Sequence, residues 1–323
     1  MRVLSINIKK KAPVQKVVIL IGLAVLFGFF SIVSPNFLTA SNISGILLAT
    51  MINGLLACGA TYIIITGGID LSIGINMTLT SVLTGMLVVK AGVPLPLGIA
   101  AGICIGMFIG FLNGIMVTRM KLPPFIATLG MQMVTKGISI VLTNGTPIYF
   151  TDYPGFKKLA GGSVIQSSLI AIPNGVIIMF VVAAVMGYVL SKTRLGRYIY
   201  AIGSNKEATR LSGIKVDNWE LLAYMIGGTM SGIAAILMSA RLNSANPSLG
   251  SGYEMDAVAA CVIGGASLAG GEGSISGTII GAFIISVLTN GLRILSVPTE
   301  WQTVLTGLII IIAVYMDVLR KKK

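Results

Sequence analysis

The stretch GLLACGATYIIITGGIDLSIGINM (54–77) decides the fold class. An apolar run meets Gly67-Gly68 and a single acid, Asp70, and a second apolar run follows from Leu71 and Ser72. A helix that crosses a bilayer needs about 20 mostly apolar residues, and such runs recur along the chain. Ten spans are predicted, at 17–33, 43–66, 71–89, 97–118, 125–142, 169–190, 221–240, 255–270, 275–292 and 301–318. Two are irregular. Segment 43–66 is interrupted by Asn53-Gly54, where a kink or unwinding is expected; segment 255–270 is short, opens with Met255-Asp256 and ends in glycines. Of 323 residues, 55% are hydrophobic and 10% charged, against about 25% charged in soluble domains. The mean hydropathy is +0.93. Too few polar residues exist to cover a water-soluble core, and the low charge excludes a disordered chain. The expected fold class is an all-α polytopic membrane protein of about ten helices.

The net charge of +13 suggests nucleic acid only in a soluble protein; here the basic residues sit between apolar runs and set orientation instead. With the N-terminus inside, seventeen Lys and Arg fall on the inner side: Arg2, Lys9 to Lys11, Lys16, Arg119, Lys121, Lys192, Arg194, Arg197, Lys206, Arg210, Lys215 and residues 320–323. Five fall outside: Lys90, Lys157, Lys158, Arg241 and Arg293. Both termini are therefore expected in the cytoplasm. The layout is one transmembrane domain, 1–323, with an inner segment 1–16, spans one to five over 17–142, an outer loop 143–168, span six at 169–190, an inner loop 191–217, spans seven to ten over 218–319, and a basic tail 320–323. Lys9 to Lys11 before an apolar run resemble a signal peptide, but Ser34-Pro35-Asn36 replaces a cleavage site, so the first span reads as an uncleaved anchor. No segment is large enough for a soluble ATPase, and no Gly-Lys pair exists to form a Walker A loop. Without histidine there is no His-based metal site or catalytic base. Cys58, Cys104 and Cys261 are far apart inside apolar segments and read as small buried hydrophobes.

GICIGMFIGFLNG (102–114) echoes GTIIGAFIISVLTNG (277–291): each has Gly-x-x-x-Gly, then Phe-Ile, then a closing Asn-Gly that is two residues out of step between them. Asp70 and Asp256 each open the preceding span. Spans two to five are thus expected to correspond to spans seven to ten, and an offset of five spans makes the second copy inverted, a transporter signature. The bland alternative is chance similarity between glycine- and isoleucine-rich helices. Gly102, Gly106, Gly110 and Gly114 form one small-residue face, as Gly277 and Gly281 do, which suits close helix packing in lipid.

Acids inside a membrane default to function. Asp70, flanked by Gly67, Gly68 and Ser72, is read either as the cap of a helix beginning at Leu71 or as part of a translocation path or gate; Asn53 and Asp256 join it as path candidates. Asn76, Asn113 and Asn290 are further candidates for interhelical hydrogen bonds, and Lys136 and Arg293 for snorkelling. The inner loop RLGRYIYAIGSNKEATRLSGIKVD (194–217) contains a capping box, Ser204-x-x-Glu207, and Gly213 as a helix stop. A short helix, about 205–212, is expected between them, with Lys206, Glu207 and Arg210 toward water and Ala208 and Leu211 offering apolar contact.

TGGIDLSIG (66–74), GSNKEATRLSGIKV (203–216) and GGASLAGGEGSISGTIIGAFII (264–285) resemble, in that order, motifs of the bacterial sugar-type ABC importer permeases, the ribose/galactose/xylose group. The resemblance runs from about residue 35 to the C-terminus. It implies a permease subunit of about ten helices in the inner membrane, not an enzyme, working as a homodimer or related heterodimer. It also implies a cytoplasmic tandem ATPase that binds the ATP and magnesium, no cofactor or metal on this chain, and a periplasmic or lipid-anchored binding protein that delivers a pentose or hexose. The family's ATPase-coupling helix corresponds here to Ser204, Asn205, Lys206, Glu207, Ala208, Arg210, Leu211, Ser212 and Gly213, with Thr209 where the family usually has a second alanine. Asp70 falls on the acid of the first motif. An ion-coupled secondary transporter and a permease for branched-chain amino acids are the competing readings; a membrane enzyme lacks any cluster of nucleophile and base.

Overall fold

The computed structural model describes residues 4–166 and 171–321. Arg2, Lys322, Lys323 and residues 167–170, which belong to the expected basic ends, outer loop and sixth span, lie outside the described residues. Lipid offers no hydrogen bonds to a bare backbone, so the apolar runs become helices: α1 (Leu4–Val33), α2 (Ala40–Ile65), α3 (Ile73–Gly85, continued by a π turn Met86–Lys90), α4 (Leu95–Thr118), α5 (Pro124–Thr143), α6 (Pro154–Gly161), α7 (Asn174–Lys192), α8 (Arg194–Ser204), α9 (Lys206–Leu211), α10 (Val216–Leu242), α11 (Tyr253–Ile263), α12 (Ile275–Ile294) and α13 (Thr299–Lys321). Eight of them, α1, α2, α3 with its π turn, α4, α5, α7, α10 and α12, are long and apolar enough to cross a membrane. Prolines start α4 and α5, and Asn144 and Asn243, both left-handed, end α5 and α10.

Two irregular spans resolve differently from expectation. α2 runs unbroken through Asn53-Gly54. Gly54 is there for packing, since a Cβ would stand 2.8 Å from Met179 Sδ of α7. The segment 255–270 is not one long helix. Its helical part, α11, has 11 residues, about 16 Å at 1.5 Å per residue. The chain approaches α11 through a non-helical stretch in which the Thr78 hydroxyl donates to Leu249 O at 2.5 Å, and it leaves through glycine turns in which Gly265, Gly270, Gly271 and Gly273 have positive φ.

α2 and α10 form the buried centre, with α3 and α11 beside them and α4 and α12 on their flanks. The four-glycine face of α4 lies against α10. A Cβ on Gly106 would sit 2.6 Å from Gly228 O, one on Gly110 3.0 Å from Gly228 Cα, and one on Gly114 3.1 Å from Leu221 Cα. Gly102 packs on Thr84 and Ile236. Gly277 and Gly281 do the same job for α12, against Gly264 and Ala260 of the α11 end. Buried hydroxyls add cross-links: Ser81 to Ser239 at 2.6 Å, Thr61 to Thr278 at 2.7 Å, and Ser231 to Ile73 O at 2.7 Å. Cys58 and Cys261 are buried as expected, but Cys104 is exposed, because it projects from α4 away from the glycine face.

At one end of the molecule two antiparallel ribbons, β1 (Ile148–Tyr149) with β4 (Ser244–Ala245) and β2 (Ile165–Gln166) with β3 (Ala171–Ile172), are the strand pairs among the described residues. Phe150 and Phe156 bury beneath the first, ring centroids 4.5 Å apart. The opposite end carries α8, α9 and the loops 66–72 and 264–273.

The glycine seam yields a direct expectation. Gly106→Ala forces α4 off α10 and should destabilise the protein by about 1–3 kcal/mol. Gly130→Ala, whose Cβ meets nothing within 4 Å, should be neutral or slightly stabilising. Thermal unfolding of the detergent-solubilised variants compares the two.

Candidate functional site

Asp70 is 4% exposed and does not cap a helix beginning at Leu71. The helix starts at Ile73, with Ser72 in the cap position. Asp70 Oδ1 instead accepts from the Ser72 amide at 2.8 Å and the Ser72 hydroxyl at 2.7 Å. Asn113 of α4 closes the network, donating to Ser72 Oγ at 2.7 Å and toward Asp70 Oδ2 at 3.4 Å. Gly67, at φ +83, allows the turn that carries the acid. Thr128 of α5 receives the Leu71 amide at 3.1 Å. One carboxylate thus fastens the start of α3 to α4, while α5 holds the adjoining backbone.

The starts of α3 and α11 meet. Gly74 has no side chain because Gly250 O and Glu254 occupy the space; a Cβ would be 2.6 Å from Glu254 Oε2. Glu254 is 5% exposed. Its Oε1 accepts from Gln132 of α5 at 3.0 Å and from the Gly252 amide at 3.1 Å, and Oε2 has no partner among the described residues. Sequence reasoning singled out Asp256 in this turn and missed Glu254; the legible signal was a second acid two residues earlier. Asp256 lies beside Glu254, and no hydrogen bond joins it to Asp70 among the described residues. Of the asparagines, Asn53 reaches Ser286 at 3.5 Å, Asn76 bonds within its own helix to Thr80, and Asn290 leaves Oδ1 unpartnered among the described residues. Lys136 and Arg293 are exposed, as snorkelling requires. Among the described residues no three Cys, Asp or Glu side chains gather as a metal site would need.

The loop between α7 and α10 forms a second site. α8 wedges against the end of α2: Gly203 abuts Ile65 O and Gly271 N, Gly271 N donates to Ile65 O at 2.9 Å, and the Tyr200 hydroxyl donates to Gly273 O at 2.7 Å. Burial holds the Tyr200 phenol above its ordinary range. α9 follows. Its cap is Asn205, not Ser204: α8 continues through Ser204, and the first extended residue is Asn205 at φ −160°, whose Oδ1 accepts from Ala208 N at 2.9 Å. Gly213 stops it at φ +81, with Ser212 N bonded to Ala208 O at 3.1 Å.

The charges of α9 are largely turned toward the protein's own chain. Lys206 pairs with Glu220 of α10 at 2.7 Å, and Arg210 pairs with Asp217 at 3.5 Å and Glu207 at 3.3 Å. Lys121, between α4 and α5, joins Asp217 at 3.0 Å. Exposed pairs are worth only about 0–1 kcal/mol each, but Glu220 is 5% exposed, so its bond to Lys206 fixes α9 on α10. What remains free is the outer face, with Ala208 exposed and Leu211 81% exposed. Beside it lies a groove between Tyr198, Ile214, Trp219 and Leu222.

A family model described as "Branched-chain amino acid transport system / permease component" matches residues 42–314. Among curated proteins, the ribose import permease protein RbsC of Bacillus subtilis is 44% identical over 310 residues, covering 95% of this chain and 94% of the relative. RbsC of Escherichia coli K12 is 42% identical, covering 92% of each. The xylose transport system permease protein XylH of Haemophilus influenzae is 38% identical, covering 97% of this chain and 99% of the relative. No solved structure matches significantly.

Asp70→Asn separates anchoring from transport. Asn keeps an oxygen for the two Ser72 donors but sets its own NH2 against that of Asn113. The variant should accumulate and unfold within about 1–1.5 kcal/mol of wild type, the worth of one hydrogen bond, while uptake falls markedly. Wild-type uptake would reduce Asp70 to a local backbone anchor.

Proposed function

This chain belongs to the branched-chain amino acid transport system / permease component family, and from that footing we propose that it is the membrane subunit of an ATP-driven importer for a monosaccharide of the ribose type. The high-coverage likeness to ribose and xylose permeases supports a sugar over a branched-chain amino acid. The chain is a multi-pass membrane permease, not an enzyme; ATP with magnesium binds and is hydrolysed in a separate tandem ATPase, and a binding protein delivers the sugar on the other side. A second permease copy, identical or related, completes the path.

Ten crossings follow when the non-helical stretch before α11 is counted with it, and when α13, whose described apolar part Thr299–Ile312 is short, is counted through its full 23 residues. Both termini then share the side of α9, which the Lys and Arg distribution makes cytoplasmic. The inverted repeat is supported by the packing. α4 lies on α10 as α12 lies on α2; α3 touches α10 as α11 touches α2; α5 leans on α3 as α13 leans on α11. Exchanging α2–α5 with α10–α13 leaves this set of neighbours unchanged. Gly59 and Gly227, where a Cβ on Gly59 would be 3.0 Å from Gly227 Cα, lie at the α2–α10 contact between the two repeats. Asn53, Gly67, Gly68, Asp70, Ser72 and Asp256, with Glu254 added, belong to the path or its gate.

The observation that carries the functional reading is α9: a helix capped at both ends, clamped to α10 through Glu220, and bare on its outer face. An ATPase that docks there moves α10, and with it the glycine seam to α4. Ala208→Glu places an unpaired charge in that dock, a cost of several kcal/mol. It should leave insertion intact and lower ATPase association and uptake at least about tenfold, since 1.4 kcal/mol is already a factor of ten. Asn205→Ala should cost about 0.5–2 kcal/mol of the cap and give a partial defect, with Ser204→Ala near wild type. Co-purification of the ATPase and uptake assays measure both; normal values for Ala208→Glu would remove α9 from the coupling role.

A further inference from the structure

The first helix leaves a groove that the transport reading does not use. It runs between α1, α2 and α12, has a volume of about 550 Å³, and is lined by apolar residues including Leu20, Phe27, Gly28, Ile46, Phe283 and Val287. From Leu20 to Gly28 it follows α1 for about 12 Å at 1.5 Å per residue. Gly28 opens onto it: a Cβ there would meet no protein atom within 4 Å. One turn beyond Leu20, about 6 Å along α1, stands Lys16, whose ammonium donates to the Ser276 hydroxyl of α12 at 2.7 Å. An ammonium has three donors, and Lys16 has no carboxylate partner among the described residues. A fixed positive charge therefore sits at the mouth of an apolar channel that descends into the bilayer.

We propose that this groove binds one anionic phospholipid, its acyl chain between α1, α2 and α12 and its phosphate on Lys16. The lipid enters from the leaflet on the side of α9, where the chain adds Lys9, Lys10 and Lys11 farther along the same helix and where anionic lipid draws basic juxtamembrane segments. Such a lipid fills space beside a first helix that is otherwise little buried and joins it to α12. Charge distinguishes this site from ordinary solvation by lipid tails: a zwitterionic lipid fits the groove but lacks the net charge that Lys16 selects.

The test uses the full-length chain, purified and exchanged into equimolar phosphatidylglycerol and phosphatidylethanolamine, then read by native mass spectrometry. Wild type should retain one phosphatidylglycerol in clear excess over phosphatidylethanolamine. Lys16→Gln should retain lipid without that preference. Gly28→Trp, which fills the groove from a position with free space, should lose the bound lipid of either kind while keeping wild-type thermal unfolding in detergent; Gly28→Leu replaces it if the tryptophan variant does not accumulate. Equal retention of both lipids by wild type would overturn the proposal. So would undiminished phosphatidylglycerol on the filled-groove variant, or quantitative cross-linking of Gly28→Cys between two copies of the chain, which would place a second permease there.

Discussion

Backbone touching backbone along the α4–α10 seam is the constraint on which the rest of the structure depends. In a bilayer, helix surfaces gain nothing by hiding from the solvent, so association rests on close packing and on hydrogen bonds between buried polar groups. Gly106, Gly110 and Gly114 let α4 approach Gly228 and Leu221 of α10 to within a distance that a single methyl would spoil. With the seam closed, Asn113 of α4 reaches Ser72 and Asp70, and the start of α3 is held. The same logic at Gly277 and Gly281 holds α12 to the α11 end. Packing and the polar network are thus one device: the glycines set the distance, and the buried side chains fix the register.

Under the proposed count of ten crossings, that device makes a non-helical crossing tolerable. Irregular backbone at membrane depth survives only when protein surrounds it. The stretch before α11 is held by protein at two points, where Thr78 bonds Leu249 O and Gly74 gives its space to Gly250 and Glu254. Two helix starts therefore meet beside a buried acid, in a region connected through α3, α4 and α10 to α9. Under the proposed coupling, a push on α9 would pass through the Lys206–Glu220 pair to α10 and along its contacts with α3 and α4 toward the junction. Close, small-residue contacts suit such motion, because helices can slide without unlocking interdigitated side chains.

Much of this was legible in the sequence. Apolar run length located the eight helices long enough to cross a membrane, and the four-residue glycine spacing marked the seam, because both are local properties of one helix. The cap and stop residues placed α9 within a residue of its true bounds. Asn205 took the cap from Ser204 because α8 runs through Ser204, where Gly203 packs on Ile65 O, a contact between residues distant in the chain. Asn53-Gly54 read as a break and proved to be room for Met179; a glycine for space and a glycine for bending look alike in one dimension. Glu254 was missed because its importance arises from Gly74 and Gln132, far away in sequence. The charges of α9 read as turned toward water, and the sequence did not show that Lys206 and Arg210 find partners in Glu220 and Asp217 on the protein's own next helix.

The central claim is that force comes from ATP hydrolysis in a partner and enters through α9, rather than from an ion gradient across the membrane. Its most direct test is ribose uptake into vesicles containing the chain with its ATPase and binding protein, with proton and sodium gradients collapsed by ionophores. The account predicts uptake that requires internal ATP at the ATPase and is unaffected by the ionophores. Uptake that persists without the ATPase and vanishes with the ionophores would contradict it.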